Sequence, residues 1–370
     1  MDDPRDLLVG PRGRRLCLEL AGRLASDSDA VAGEEYLRAV GFASYALDPG
    51  AGTSRVMFEV GGGTPRRRIE PRATPSADQV ARLLDGVPLG SVDECVLFDA
   101  LTRAVDWARY WQEPDGEDVL ADAVPMRDAL LRFAAAVAVP GRVPWWATPI
   151  DRGSQWTVVF DESAAPLSSP PAAGITAGLA RWRSAVVEEE ARALRERPAD
   201  PRAPFSGTWW STPPRDLTRT TRHLGVLGPV GLWLVEDSFD WESAVVRPVE
   251  VPADARVLEV DGPAAWSELC RRFPLEVTAS RRHDWYRTTG SAGRWVIPDW
   301  SLAAQEIDAV HVTVAGYLTT AGRCLDVTDD TSAVLAGWNP DETYWLTEVP
   351  ERAEGAERWS RGDDGAWSRD

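Results

Sequence analysis

Apolar positions in the first third of the chain recur at helical spacing. Leu97, Leu101, Ala104, Ala108 and Trp111 fall on one helical face, and Ser91 with Glu94 three residues on reads as a capping box at its start. A second helix is predicted over 122–137. A strand is expected at 55–60, ahead of a glycine run at 61–63. That run reads as a turn, because it lacks a phosphate-loop lysine and Thr64-Pro65 follows it. Beyond a serine- and proline-bearing linker at 164–171 the helical period returns with Ile175, Leu179, Trp182 and Val186. Glu188 and Arg192 form a favourable pair four apart on that helix, and prolines from Pro198 to Pro204 end it.

From Ser206 the pattern is mixed. Short strands are predicted at 208–212, 230–235, 244–251 and 256–260. Pro263 opens a helix whose Trp266, Leu269, Cys270 and Phe273 share a face. Asp299 is the expected N-cap of a helix over 300–307. Val310, Val312 and Val314 alternate with His311 and Thr313, as in a half-buried strand. Closing strands are predicted at 333–338 and 343–346, and the charged, apolar-poor tail from Glu351 is expected to be disordered. The fold class is α+β. A mostly helical N-terminal domain spans 1–140. A tryptophan-rich mixed domain with a split, largely antiparallel sheet spans 141–350, and the tail covers 351–370.

Composition sharpens that boundary. All 18 tryptophans lie between Trp107 and Trp367. Trp145-Trp146-Ala147-Thr148-Pro149 is echoed 64 residues later by Trp209-Trp210-Ser211-Thr212-Pro213, but two copies do not make a solenoid. The net charge of -18 repels phosphate backbones and anionic lipid, so neither nucleic acid nor membrane is an expected partner. The patches after the acidic Met1-Asp2-Asp3-Pro4 are too short for a signal peptide, and no run of about 18 apolar residues occurs. A cytoplasmic protein is expected, with Cys17, Cys95, Cys270 and Cys324 as reduced, buried thiols. His223, His283 and His311 lack metal-ligand spacing, so no metal is expected.

All 40 basic residues are arginines. Without lysine there is no Schiff-base chemistry with pyridoxal phosphate and no phosphate-loop lysine. No G-x-S-x-G elbow, H-E-x-x-H helix or strand-borne G-x-G-x-x-G is present.

Three stretches carry candidate chemistry. In the first, Trp209, Trp210, Ser211 and Thr212 lead into a predicted helix bearing Arg215, Arg219 and Arg222. Such a unit can stack a flat ring, hydrogen-bond a sugar or amide, and pair a phosphate with guanidinium. The same residues can instead pack a strand against a helix capped by Ser211 or Thr212. In the second, Arg281 to Trp300 reads as a surface loop with aromatic anchors around His283 and Asp284. Asp284, Asp299 and Asp308 among tryptophans could take sugar hydroxyls, and a carboxylate pair could hydrolyse a glycoside. In the third, Tyr110, Trp111, Trp145, Trp146, Trp209 and Trp210 could form a domain seam or a partner patch.

The order of elements over about 209–346 resembles the split sheet of ADP-ribosyltransferase-like domains. That resemblance implies that Ser211 and Thr212 support the nicotinamide end of NAD. It places Glu342 in the acidic position beside the ribose, with His311 as the alternative polar residue. The opening basic residue would be Arg142 or Arg152. No Glu-x-Glu or Gln-x-Glu pattern is present, a departure that bears on catalysis. The expected function is a cytosolic nucleotide- or NAD-binding protein, with the transferase-like domain active or degenerate. The alternative is a noncatalytic module for a protein partner or a carbohydrate.

Overall fold

Among the described residues of the first 140, helix-breaking residues separate seven helices. The computed structural model describes residues 3–28, 31–51, 74–161, 174–239, 241–352 and 354–370. The expected strand at 55–60, the glycine run and the linker at 164–171 lie outside the described residues. The helices are α1 (Pro4–Val9), α2 (Pro11–Asp27), α3 (Val31–Leu47), α4 (Ala77–Asp85), α5 (Glu94–Asp106), α6 (Gly116–Asp122) and α7 (Val124–Val137). Side-chain caps start several of them. Ser76 and Gln79 form a reciprocal capping box on α4, and Asp115 accepts from Asp118 N on α6. The cap of α5 is Asp93, whose carboxylate accepts from Val96 N, rather than the expected Ser91. The predicted helix at 122–137 loses its first residues, because Pro125 sits in the first turn of α7 and Ala123 is extended.

Helix α2 is the hub, packed against α3, α5, α6 and α7. Its Leu16, Cys17, Leu20 and Ala21 are fully buried. It also buries Arg12 and Arg15, which is tolerable only because each is paired. Arg12 donates to Ala104 O at 2.9 Å and to the Asp118 carboxylate, and Arg15 reaches Glu19 at 2.8 Å and Asp115 at 3.0 Å.

Among the described residues, the rest of the chain builds two sheets. After a 3₁₀ turn at Pro144–Ala147 come β1 (Gln155–Phe160), α8 (Ile175–Glu196), β2 (Arg219–Arg222), β3 (Ser243–Val249) and β4 (Val257–Val260). Then follow α9 (Pro263–Arg272), β5 (Pro274–Glu276), α10 (Thr278–Thr289), β6 (Arg294–Pro298), α11 (Trp300–Ala303), β7 (Ala309–Val312) and α12 (Val314–Thr320). Last are β8 (Leu325–Asp326), β9 (Thr331–Ala333), β10 (Glu342–Trp345), β11 (Glu357–Arg361) and β12 (Trp367–Arg369). The large sheet has the order β12-β11-β3-β1-β2-β10-β7-β4, and the small one β5-β6-β9-β8. Pairing is antiparallel except for β4 with β7 and β6 with β9. The architecture is α+β with mixed sheets, as the periodicities imply.

Several local expectations are corrected. Residues 208–212 form no strand and join neither sheet. The helix expected to carry Arg215, Arg219 and Arg222 is absent: Pro213-Pro214 blocks it, and the β-branched Thr220 and Thr221 lie in β2 instead. The strand expected at 230–235 is a 3₁₀ turn, Val230–Leu232, entered from Pro229. Residues 281–289 are helical, within α10, rather than a loop. Asp299 does cap α11, accepting from Ser301 N and Leu302 N, but that helix stops at Ala303. Strand β7 is buried on both faces, and Val314 belongs to α12, capped by Thr313. Of 333–338 only Ala333 is in a strand.

The tail expected to be disordered is a hairpin: β11 pairs with β3 and β12, burying Trp359 and Trp367. Among the cysteines, Cys17 and Cys270 are buried as expected, whereas Cys95 is exposed and Cys324 half-buried. No described helix is long and apolar enough to cross a membrane. One buried apolar cluster runs from Leu16 and Leu101 to Trp266, Val310 and Trp338, so the expected boundary near 140 lies within a shared core.

Candidate functional site

Strand alternation decides what meets at the centre of the large sheet. Trp156 of β1 lies opposite Thr221 of β2, and Tyr344 of β10 lies opposite Arg219. With Thr343 opposite Thr220, the preceding Glu342 shares its face with Thr221 and Trp156. On that face is a cavity of about 410 Å³, within the roughly 300–1,000 Å³ range of ligand pockets. Its apolar wall includes Trp156, Phe160 and Trp241, and Trp241 stacks on Phe160 with ring centroids 4.3 Å apart and planes 9° apart. Its polar wall includes Arg215, Arg219, Thr221, Asn339 and Glu342. Gly231 lets a backbone turn close over the strands: a Cβ there would stand 3.2 Å from Thr221 and Val158, and its N–H donates to Thr221 Oγ1 at 3.0 Å.

Glu342 is held from two sides. Its Oε1 accepts from Asn339 Nδ2 at 3.2 Å and from Arg219 Nη1 at 3.4 Å, and its Oε2 accepts from Asn339 N at 3.3 Å. Burial raises its pKa above the ordinary carboxylate value, with Arg219 and Asn339 pulling the other way. The Arg219 guanidinium lies 5.9 Å from the Tyr344 ring, and that of Arg215 lies 4.5 Å from the Trp210 ring. The site therefore offers two guanidinium groups, one buried carboxyl, an amide and an aromatic wall.

Behind it, Asn339 Oδ1 accepts from Glu236 N at 3.0 Å. Both Glu236 carboxylate oxygens are shut from solvent, and neither has a partner in hydrogen-bond geometry. Burial pushes this carboxyl up to about 8, although Tyr317, Arg12 and Tyr110 favour its charged form.

Of the residues proposed from sequence, Glu342, Arg215 and Arg219 line this cavity; Ser211, Thr212, Trp209, Trp210 and His311 do not. Ser211 is fully buried and tied to one residue. Its N–H donates to Ala336 O at 3.0 Å, and its Oγ accepts from Ala336 N at 3.0 Å. Thr212 is buried too. Trp209 and Trp210 pack edge to face over Gly337, whose φ is +78° and where an added Cβ would stand 2.8 Å from Trp210 Cβ, so only glycine fits. Trp209 also meets Tyr110, 6.5 Å away, so that pair forms an internal seam.

His311 pairs with Thr343, not Glu342, and so projects from the opposite sheet face. Its Nδ1 is 2.8 Å from Thr343 Oγ1, its Nε2 makes no hydrogen bond and lies 3.8 Å from Asp341 Oδ1, and burial with nearby Arg222 lowers its pKa to about 3. Arg222, also on that face, is clasped by Asp341 through its backbone N–H at 3.0 Å and through Nε at 2.5 Å. Arg142 donates to Ala136 O at the end of α7, and Arg152 to Pro252, Ala253 and Ala255 carbonyls, so both brace backbone.

The sugar candidates are also engaged. Asp284 takes Ser206, Gly207 and Arg287; Asp299 takes Arg183 and Ser301; Asp308 takes Arg256. His283 and Asp284 are neighbours on α10, and no hydrogen bond joins them. No group of His, Cys, Asp and Glu able to hold a metal is found among the described residues.

No family model matches the chain, and neither a curated protein nor a solved structure matches it. The site therefore rests on its own geometry. Sequence reading missed Trp156, Phe160, Thr221 and Trp241. The alternation in Gln155–Phe160 was the available signal for β1.

Proposed function

We propose that the chain binds a nucleotide-class ligand, a flat heterocycle carrying phosphate, in the cavity around Glu342. The observation that carries this reading is the convergence of Arg215 and Arg219 with the Glu342 carboxyl and an aromatic wall in one cavity of about 410 Å³. Guanidinium forks suit phosphate oxygens, an exposed indole face suits a heterocycle, and a carboxyl beside an amide suits ribose hydroxyls. NAD and ADP-ribose contain all three groups. The reading is one of binding. Ser211, which the transferase resemblance would place against nicotinamide, is committed to Ala336, so no transfer step is derived.

Thermal-shift titration with AMP, ADP-ribose and NAD tests the proposal. A ligand at about 100 times its Kd adds about 2.7 kcal/mol to stability. Arg219→Ala removes a charge-assisted contact and should weaken binding about 10- to 100-fold. Ser211→Ala should leave affinity unchanged. No saturable shift with any of the three, or a shift unaffected by Arg219→Ala, overturns the reading.

A further inference from the structure

A second cavity, of about 720 Å³, opens between α5, the turns at 224–238 and the C-terminal hairpin. Its chemistry is opposite to that of the first. Four aromatic rings line it: Phe98, Trp233, Trp241 and Trp367. Phe98 and Trp233 meet edge to face at 5.9 Å, and Trp233 Nε1 is already used, donating to Leu227 O at 2.8 Å. The lining also includes four carboxylates, Glu94, Asp99, Asp106 and Asp364, against two guanidinium groups, Arg103 and Arg361.

Two of those carboxylates, Asp106 and Glu94, are held by neutral donors. Asp106 Oδ1 accepts from Ser238 Oγ at 2.6 Å and from Ser238 N at 3.3 Å, and among the described residues no arginine pairs with Asp106. Glu94 is held by a neutral donor, Trp145 Nε1, at 2.8 Å. Asp99 has arginines at 3.5 and 3.6 Å, yet its Oδ2 is shut from solvent with no hydrogen-bond partner.

We propose that this cavity binds an organic cation, an alkylated ammonium on a small apolar body. Aromatic faces attract such a charge through their quadrupole without demanding hydrogen bonds, which a fully alkylated ammonium cannot make. The Asp106 carboxylate, positioned by Ser238, is the counter-ion. An anion meets an excess of carboxylates there, and a neutral ligand leaves Asp106 without a counter-charge. The chain's net charge of -18 raises the local concentration of cations further. The proposal is independent of the nucleotide reading: the two cavities share Val235 and Trp241 but no charged side chain.

The probe pair is choline and 3,3-dimethylbutan-1-ol, its uncharged isostere, titrated calorimetrically against the full chain. Choline should bind saturably and at least about tenfold more tightly than the alcohol. Asp106→Asn keeps an acceptor for Ser238 and should weaken choline about tenfold without lowering the melting temperature. Phe98→Leu, which removes one ring, should weaken it independently and serves if the first variant misfolds. Saturating AMP should leave choline affinity unchanged. Equal affinity for the alcohol, no saturable choline binding, or full affinity in a folded Asp106→Asn or Phe98→Leu chain overturns the proposal.

Discussion

Glu236 gives the fold a definite pH dependence. Its carboxyl is shut from solvent between Tyr110, Tyr317 and Asn339, with both oxygens lacking a partner in hydrogen-bond geometry. Its pKa rises from an ordinary 4.5 to about 8, so the folded chain holds a proton that the unfolded chain has already released. Stability from this group is complete below pH 4.5 and is lost as the pH climbs towards 8. At about 1.36 kcal/mol per pH unit, the full loss is at most about 5 kcal/mol. Proton uptake by other buried carboxyls, such as Glu259 with its pKa near 7, is common to the parent and a Glu236 variant and cancels in their difference. Glu236→Gln keeps the shape and neutrality of the protonated acid. Urea denaturation of both chains from pH 5 to pH 9 should give nearly equal stability at pH 5. The variant should gain steadily above that, leading by several kcal/mol at pH 9. Parallel curves across the range would refute the assignment of a buried, proton-holding acid to this position.

Two further perturbations test packing. Gly316→Ala places a Cβ 2.0 Å from Val260 O, where α12 meets the end of β4; the backbone must shift, and we expect a loss of more than about 3 kcal/mol in denaturant, with Ala315→Gly as a mild control. Asp341→Ala strands the buried Arg222 guanidinium, and the expected cost is about 3–5 kcal/mol in the same assay, reduced in the double variant that also carries Arg222→Met.

How much of this was legible in the sequence depends on how local the cause is. Of the α8 stripe, Ile175, Leu179 and Val186 are buried and Trp182 is half-buried, as its 3.6-residue period implies, and the Pro263 start and Asp299 cap depend on neighbours within a turn. The misplaced elements depend on distant partners. Residues 208–212 have strand-like composition, yet their hydrogen bonds go to Glu189, Trp285 and Ala336, which no local pattern announces. The tail from Glu351 is poor in apolar residues because a hairpin at a sheet edge has only one face to bury. Two tryptophans, Trp359 and Trp367, suffice to anchor it against β3 and Phe160.

The candidate site shows the same division more sharply. Glu342 was identifiable as an acid at a strand start, and Arg215 and Arg219 as a basic pair, but their common cavity follows from sheet order. Asp341 adopts a φ of +59° and turns its carboxylate to Arg222, while Glu342, one residue later, faces Arg219 and Asn339 on the other side. Thr343 then returns to the first face and meets His311. Three consecutive residues thus serve two separate polar clusters, and Glu342 and His311, interchangeable as candidates in the sequence, are divided by the thickness of a sheet. Only the insertion of β10 between β2 and β7 assigns the aromatic and arginine wall to Glu342 and leaves His311 a neutral imidazole, closed off beside Arg222. The ligand chemistry argued for the first cavity rests on that insertion. Arg219 pairs across from Tyr344 in this register, and a one-residue slip of β10 would turn Glu342 to the opposite face and abolish the site.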